Sequence, residues 1–193
     1  MVRPREFNVD VALDEALRLF WRNGYEATSM QDLLAAMGLS RSSFYDCFGS
    51  KHEVLISAIR RYCEHETAKL DHLTADGGPV RPVLASILRA AYDSSTGTEP
   101  RVGCLMVNCA VELAPRDPMV EAEVRTYVDG IERRIEALLR RGQQTGEVNP
   151  SHDPRALAQS IMIALTGLLV MSKAGRDRDT LERASGNALR LLD

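Results

Sequence analysis

Aromatic residues make up only 5% of this chain of 193 residues, and tryptophan occurs once, at Trp21. Strand formers are scarce as well. Val, Ile and Thr number 30 against 44 Ala and Leu, so the composition predicts an all-α protein. Charge of one sign is missing too: 24 Lys and Arg against 27 Asp and Glu leave a formal −3, which excludes nucleic-acid binding through bulk positive charge. Four cysteines, at 47, 63, 104 and 109, form no CxxC pair, which argues against a zinc site or a disulfide framework. His65 and His72 lie two helical turns apart, about 10 Å along the axis, too far to share one ion. No GxSxG, P-loop or dinucleotide fingerprint is present, so neither an enzyme nor a cofactor is expected. No charged segment followed by an apolar run opens the chain, and a cytoplasmic location is expected. The longest charge-free run, 156–172, reaches the lower limit for a membrane span but carries Gln159, Ser160, Thr166, Gly167 and Ser172. An interface helix is expected there, not a membrane span.

What the chain does have is helical periodicity. Val9, Leu13, Ala16, Leu17 and Phe20 share one face of a stretch that Asn8 can cap and Gly24 closes. Thr28 with Gln31, or Ser29 with Asp32, has capping-box spacing ahead of Leu33, Leu34 and Met37, and Gly38 ends that run. Ser40 caps a short helix predicted over 41–48, and Lys51 opens a longer one reaching about Leu73. After the break at Asp76-Gly77-Gly78-Pro79, Val83, Ile87, Leu88 and Ala91 predict a helix ending before Ser94. Further helices are predicted over 103–113, 118–141, 153–174 and 180–192. Two domains are expected, 1–50 and 51–193.

The pattern in the first domain carries chemistry. A helix, a turn holding Gly38 and a short second helix with a polar start form a helix-turn-helix, whose second helix is the candidate for a DNA major groove. Its first turn offers Arg41, which can donate two hydrogen bonds to guanine O6 and N7, and the small donors Ser42 and Ser43. Phe44 and Phe48, four apart, are expected to point back into the core. Residues 1–51 hold six Lys or Arg against seven Asp or Glu, so affinity must come from placement. Arg3 and Arg5 form the one basic arm, a candidate for the minor groove.

The stretches Phe20 to Ser29, Met37 to Ser40 and Ser43 to Lys51 closely resemble the DNA-binding domain of the TetR/AcrR family of transcriptional regulators, over about Val9 to Tyr62. The resemblance implies a nine-helix, Ω-shaped homodimer whose first three helices bind double-stranded operator DNA and whose last two build the dimer interface. It implies that Thr28 and Lys51 meet phosphate, that Tyr45 reaches the DNA backbone, and that Arg41, Ser42 and Ser43 read sequence. Asp46 and Cys47 depart from the pattern, and Asp46 would repel phosphate unless it faces a cytosine amino group or lies off the DNA. Gly103 to Asn108 resembles the sixth helix of a subgroup of these regulators.

Members of the family enclose a small-molecule effector among their C-terminal helices, and a repressor released from a palindromic operator is the implied function. Tyr92, Cys104, Asn108 and Glu112 are the candidate pocket residues, the last three recurring every four positions along one helix face. Cys104 follows Gly103 at a helix start near Arg101 and is expected to be the most reactive thiol, which leaves open a thiol-based redox sensor. A constitutive, effector-free architectural DNA-binding protein is the other alternative. The apolar stretches 156–171 and 180–192 are expected to form the dimer interface, with Ala164 and Gly167 allowing close approach and Leu168 within it.

Overall fold

The computed structural model describes residues 8–75, 77–93 and 101–193; the candidate arm at Arg3 and Arg5 lies outside them. Every long regular element among these residues is an α-helix: α1 (Val9–Asn23), α2 (Met30–Met37), α3 (Arg41–Phe48), α4 (Lys51–Ala75), α5 (Val80–Asp93), α6 (Leu105–Glu112), α7 (Pro118–Thr145), α8 (Pro154–Lys173) and α9 (Arg178–Ala188). A 3-10 turn over Leu189–Leu192 follows α9. This is the all-α class and the helix order expected.

Local chemistry sets most helix ends. Asn8 Oδ1 accepts from the Asp10 and Val11 amides at 2.9 and 3.3 Å, capping α1. Ser29 and Asp32 complete a reciprocal capping box, each side chain accepting the other's amide at 3.1 Å. Ser40 Oγ accepts from the Ser43 amide at 3.2 Å and starts α3. Gly38 ends α2 at φ +66, with no atom within 4 Å of where a Cβ would stand. Its backbone conformation, not crowding, calls for glycine there. Two boundaries depend on distant partners or local caps that periodicity does not show. α5 begins at Val80 because the Glu147 carboxylate accepts the Val80 amide at 2.7 Å, and α9 begins at Arg178 because Asp177 caps it through the Thr180 amide at 2.9 Å.

Two apolar clusters hold the helices. One joins Phe20, Leu33, Phe44 and Ile59 from α1–α4 to Leu105, Met106 and Cys109 of α6 and Val120 of α7. The other joins α5, the later part of α7, α8 and α9 around Leu88, Ile135, Leu139 and Ile161. α6 therefore packs with the N-terminal helices although it lies in the C-terminal part of the chain. α4 spans both clusters, from Val54 in the first to Leu70 in the second. On the surface the Arg61 guanidinium grips Asp14 at 2.5 and 3.1 Å and Asp10 at 2.8 Å, which fixes α4 against α1.

α3 stands on the first cluster through Phe44, which is fully buried and stacks on Phe48 at 5.9 Å between ring centroids. Eight residues cannot hold a helix at a fixed angle by themselves, so this contact orients it. Phe44→Ala is expected to destabilise the fold by about 3–5 kcal/mol. Thermal unfolding checks this, and a loss below about 1 kcal/mol would place the support of α3 elsewhere.

Candidate nucleic-acid interface

Anchored by Phe44, α3 leaves Arg41, Ser42, Tyr45, Asp46 and Cys47 exposed. The Arg41 guanidinium lies over the Tyr45 ring one turn later, 5.8 Å from its centroid, so the two share an outward face. Among the described residues Arg41 has no carboxylate partner, which leaves its fork open to a base edge or a phosphate. The Ser42 and Ser43 hydroxyls gather around the cap, 3.2 and 2.8 Å from Ser40 Oγ. Thr28 requires a correction: it is fully buried, and its hydroxyl donates to Gly24 O at 2.7 Å, so its side chain cannot meet phosphate. The exposed hydroxyl at the start of α2 is that of Ser29, which donates to Asp32 at 2.6 Å.

Lys51 sits at the junction of the α1–α2 turn and α4. Its Nζ donates to Tyr25 O at 2.7 Å and lies 4.1 Å from the Tyr25 ring centroid. One of its three donors is thus used within the fold, and the others remain for a phosphate beside the first amides of α4. The next residue, His52, joins Asp117 at 2.6 Å, linking the start of α4 to the cap of α7. Burial pushes the Asp117 carboxyl up, but His52 and the Val120 and Met119 amides outweigh it and hold the carboxyl below its usual range.

α6 is fastened at both ends to the N-terminal helices. Trp21 Nε1 donates to Gly103 O at 2.9 Å just before α6 begins. At its far end Glu112 accepts from the Tyr25 and Glu26 amides at 3.3 and 2.9 Å. Between them Asn108 donates to Val102 O at 2.9 Å and accepts from Lys173 of α8 at 2.7 Å. Asn108 and Glu112 therefore act as braces, and they border only a groove of 370 Å³. Tyr92 is buried under Arg178, whose guanidinium stands 5.5 Å from its ring, outside that groove and outside the larger cavity.

That larger cavity measures 940 Å³ and lies among α4, α5, α7 and α8, with Trp21 and Gly103 at one side. Of the four expected pocket residues only Cys104 lines it. Cys104 is buried and its Sγ accepts from the Tyr62 hydroxyl at 3.4 Å, whereas Cys47 is the exposed thiol, so access does not favour Cys104 as the most reactive. Burial pushes the thiols of Cys63 and Cys109 up to about 12. The feature that periodicity missed is the aromatic group Trp21, Tyr62 and Tyr127. These side chains come from three helices, their ring centroids 5.1 and 6.4 Å apart in sequence order.

A profile of bacterial regulatory proteins of the tetR family matches residues 12–58, and one of the tetracyclin repressor-like C-terminal domain matches residues 81–187. The chain belongs to the TetR family. This TetR-family chain is 30% identical to the HTH-type transcriptional repressor ComR of Escherichia coli, over 98% of the chain and 90% of ComR. It is also 30% identical to the HTH-type transcriptional regulator YezE of Bacillus subtilis, over the full length of both. Among solved structures it is similar to the TetR family regulator CifR, in a cysteine-substituted form complexed with 26 bp of double-strand operator DNA. That match has a TM-score of 0.85 at 31% identity and covers both chains completely. The protein is a DNA-binding transcriptional regulator.

If Arg41 reads a base, Arg41→Ala lowers operator affinity by about 1–3 kcal/mol and relaxes preference at one base pair. Lys51→Ala weakens every sequence alike and flattens the salt dependence. Gel-shift titrations on base-substituted DNA separate the two, and uniform losses for both variants would remove Arg41 as a base reader.

Proposed function

We propose that this TetR-family protein is a repressor that binds a palindromic operator as a homodimer in the cytoplasm and releases it when a small molecule enters the 940 Å³ cavity. Residues 1–50 serve as the reading head and 51–193 as the effector and dimerisation body. Arg41, Ser42, Ser43, Tyr45 and Lys51 contact DNA, and Thr28 supports the turn behind them. One observation carries the release step. Trp21 and Gly103 line the cavity and are hydrogen-bonded to each other, while the far end of α6 holds the amides of the α1–α2 turn through Glu112. A ligand that displaces Trp21 or Gly103 bears on the same helix that positions the turn, which supports two-state coupling between cavity and DNA. The name of the ComR relative, a repressor, supports the sign of regulation.

Dimerisation is supported by α8, which exposes Ile163 at 74%, Val170 at 45% and Met171 at 46% beside the small residues Ala164 and Gly167. By length and composition α8 could cross a membrane, but one third of that window is already buried in the fold, and a second copy covers the remainder in this reading. Leu168 is 6% exposed and belongs to the core, so charge placed there would break the fold before it tested the interface. Ile163 is the informative position.

DNA fragments retained by the purified protein should share one inverted repeat with half-sites about one helical turn apart. Ile163→Glu should remain helical, become monomeric in light scattering and lose that retention. A dimer that survives Ile163→Glu, or fragments lacking a repeat, would contradict the reading.

A further inference from the structure

The cavity's lining says what kind of molecule suits it. Its 940 Å³ matches the usual range for sites that take drug-sized ligands. Its buried side is formed by Tyr62, Leu70, Ile87, Ile131 and Cys104, with no ionised group among them. The charged residues in its lining are largely paired with one another or with neighbours: Lys69 holds Glu66 at 2.7 Å, and Arg178 holds Asp93 at 2.6 Å. Arg89 stands on the exposed face of α5, where an ion pair in water gains little. A charged ligand entering the buried side would lose hydration without gaining a counter-charge.

The polar groups of the buried side are mostly engaged. Trp21 Nε1 donates to Gly103 O, and the Tyr62 hydroxyl donates to Cys104 Sγ. The Tyr127 hydroxyl has no hydrogen-bond partner among the described residues; the residue is half-buried against the Tyr62 ring and lines the cavity, so its hydroxyl is open to an occupant. Burial, with the nearby Cys104 and Glu66, pushes the Tyr127 phenol well above its usual value, so it stays a donor at neutral pH. A donor that only water meets within the fold is free to exchange that water for a ligand's acceptor.

We propose that this cavity takes an uncharged, largely apolar ligand with an acceptor oxygen that receives a hydrogen bond from Tyr127. The inference rests on reading the cavity as the effector site and adds the chemistry of its occupant. Rings suit the space, because Trp21, Tyr62 and Tyr127 offer faces and edges along its wall. A carboxylate in place of the acceptor oxygen would lose its hydration against the apolar floor with no counter-charge beside Tyr127.

Three probes of similar shape test this: benzophenone, which is neutral with a carbonyl; diphenylmethane, which is neutral without one; and diphenylacetate, an anion. Binding to the full chain is measured by calorimetry, and emission of the sole tryptophan, Trp21, reports that the probe is in the cavity. Benzophenone is expected to bind about fivefold to tenfold tighter than diphenylmethane, the range of one neutral hydrogen bond, and tighter than diphenylacetate. Tyr127→Phe should erase the difference between the two neutral probes and leave diphenylmethane unchanged, whereas Tyr62→Phe should preserve it. Diphenylacetate binding as tightly as benzophenone, a difference that survives Tyr127→Phe, or no perturbation of Trp21 by any probe would overturn the proposal while leaving operator binding untouched. If the affinities follow the expected order but benzophenone leaves operator DNA bound, the ligand chemistry stands and the effector reading of the cavity falls.

Discussion

The turn between α1 and α2 is held from two directions, and the placement of the reading helix depends on it. Glu112 accepts the amides of Tyr25 and Glu26 from one side, and Lys51 donates to the carbonyl of Tyr25 from the other. Gly24, at φ +83, makes the approach possible, since a Cβ there would come within 3.0 Å of a Glu112 carboxylate oxygen. α2 starts from this turn, Gly38 redirects the chain, and α3 follows with Phe44 locked in the core. Hydrogen bonds to a charged group contribute about 1.5–3 kcal/mol each where they are shielded, enough to bias the turn between two arrangements without unfolding the domain.

α6 gives that bias a source. It shares its core with α1–α4, borders the aromatic cavity through Gly103 and Cys104, and is tied to α8 by Asn108 and Lys173. A short helix with one end at a cavity and the other at a turn moves as a unit more readily than it bends. The cavity, α8 and the N-terminal helices thus meet on one element. In the proposed reading, the effector, a second copy and the DNA would each favour one of its positions.

Much of this was legible where neighbours in sequence decide the outcome. The caps at Asn8, Ser29 and Ser40, the glycines after α1–α3 and the exposed polar start of α3 follow from contacts within a few residues. Thr28 and Ser29 were equally good caps by spacing, and only packing shows that Thr28 turns inward to Gly24 O. The roles of Glu112 and Trp21 were not legible, since their partners lie 86 or 87 and 82 residues away. In α8, apolar on nearly all sides, periodicity could not choose which face meets α5 and α7, so Leu168 was placed outward when Ile163 is the exposed residue. The larger cavity draws its wall from five helices, and no single stretch carries its signature.

The claim that α6 carries information between cavity and DNA can be tested without knowing the natural effector, because coupling between two sites is reciprocal. Cys104 lines the cavity and lies apart from the exposed Cys47 on α3, so fragmentation mass spectrometry that also resolves it from Cys109 can follow it after treatment with methyl methanethiosulfonate. If operator DNA and the cavity are coupled through α6, operator DNA should slow the modification of Cys104, and Glu112→Gln should remove that difference. Equal rates on and off the operator in the unaltered protein would contradict the account.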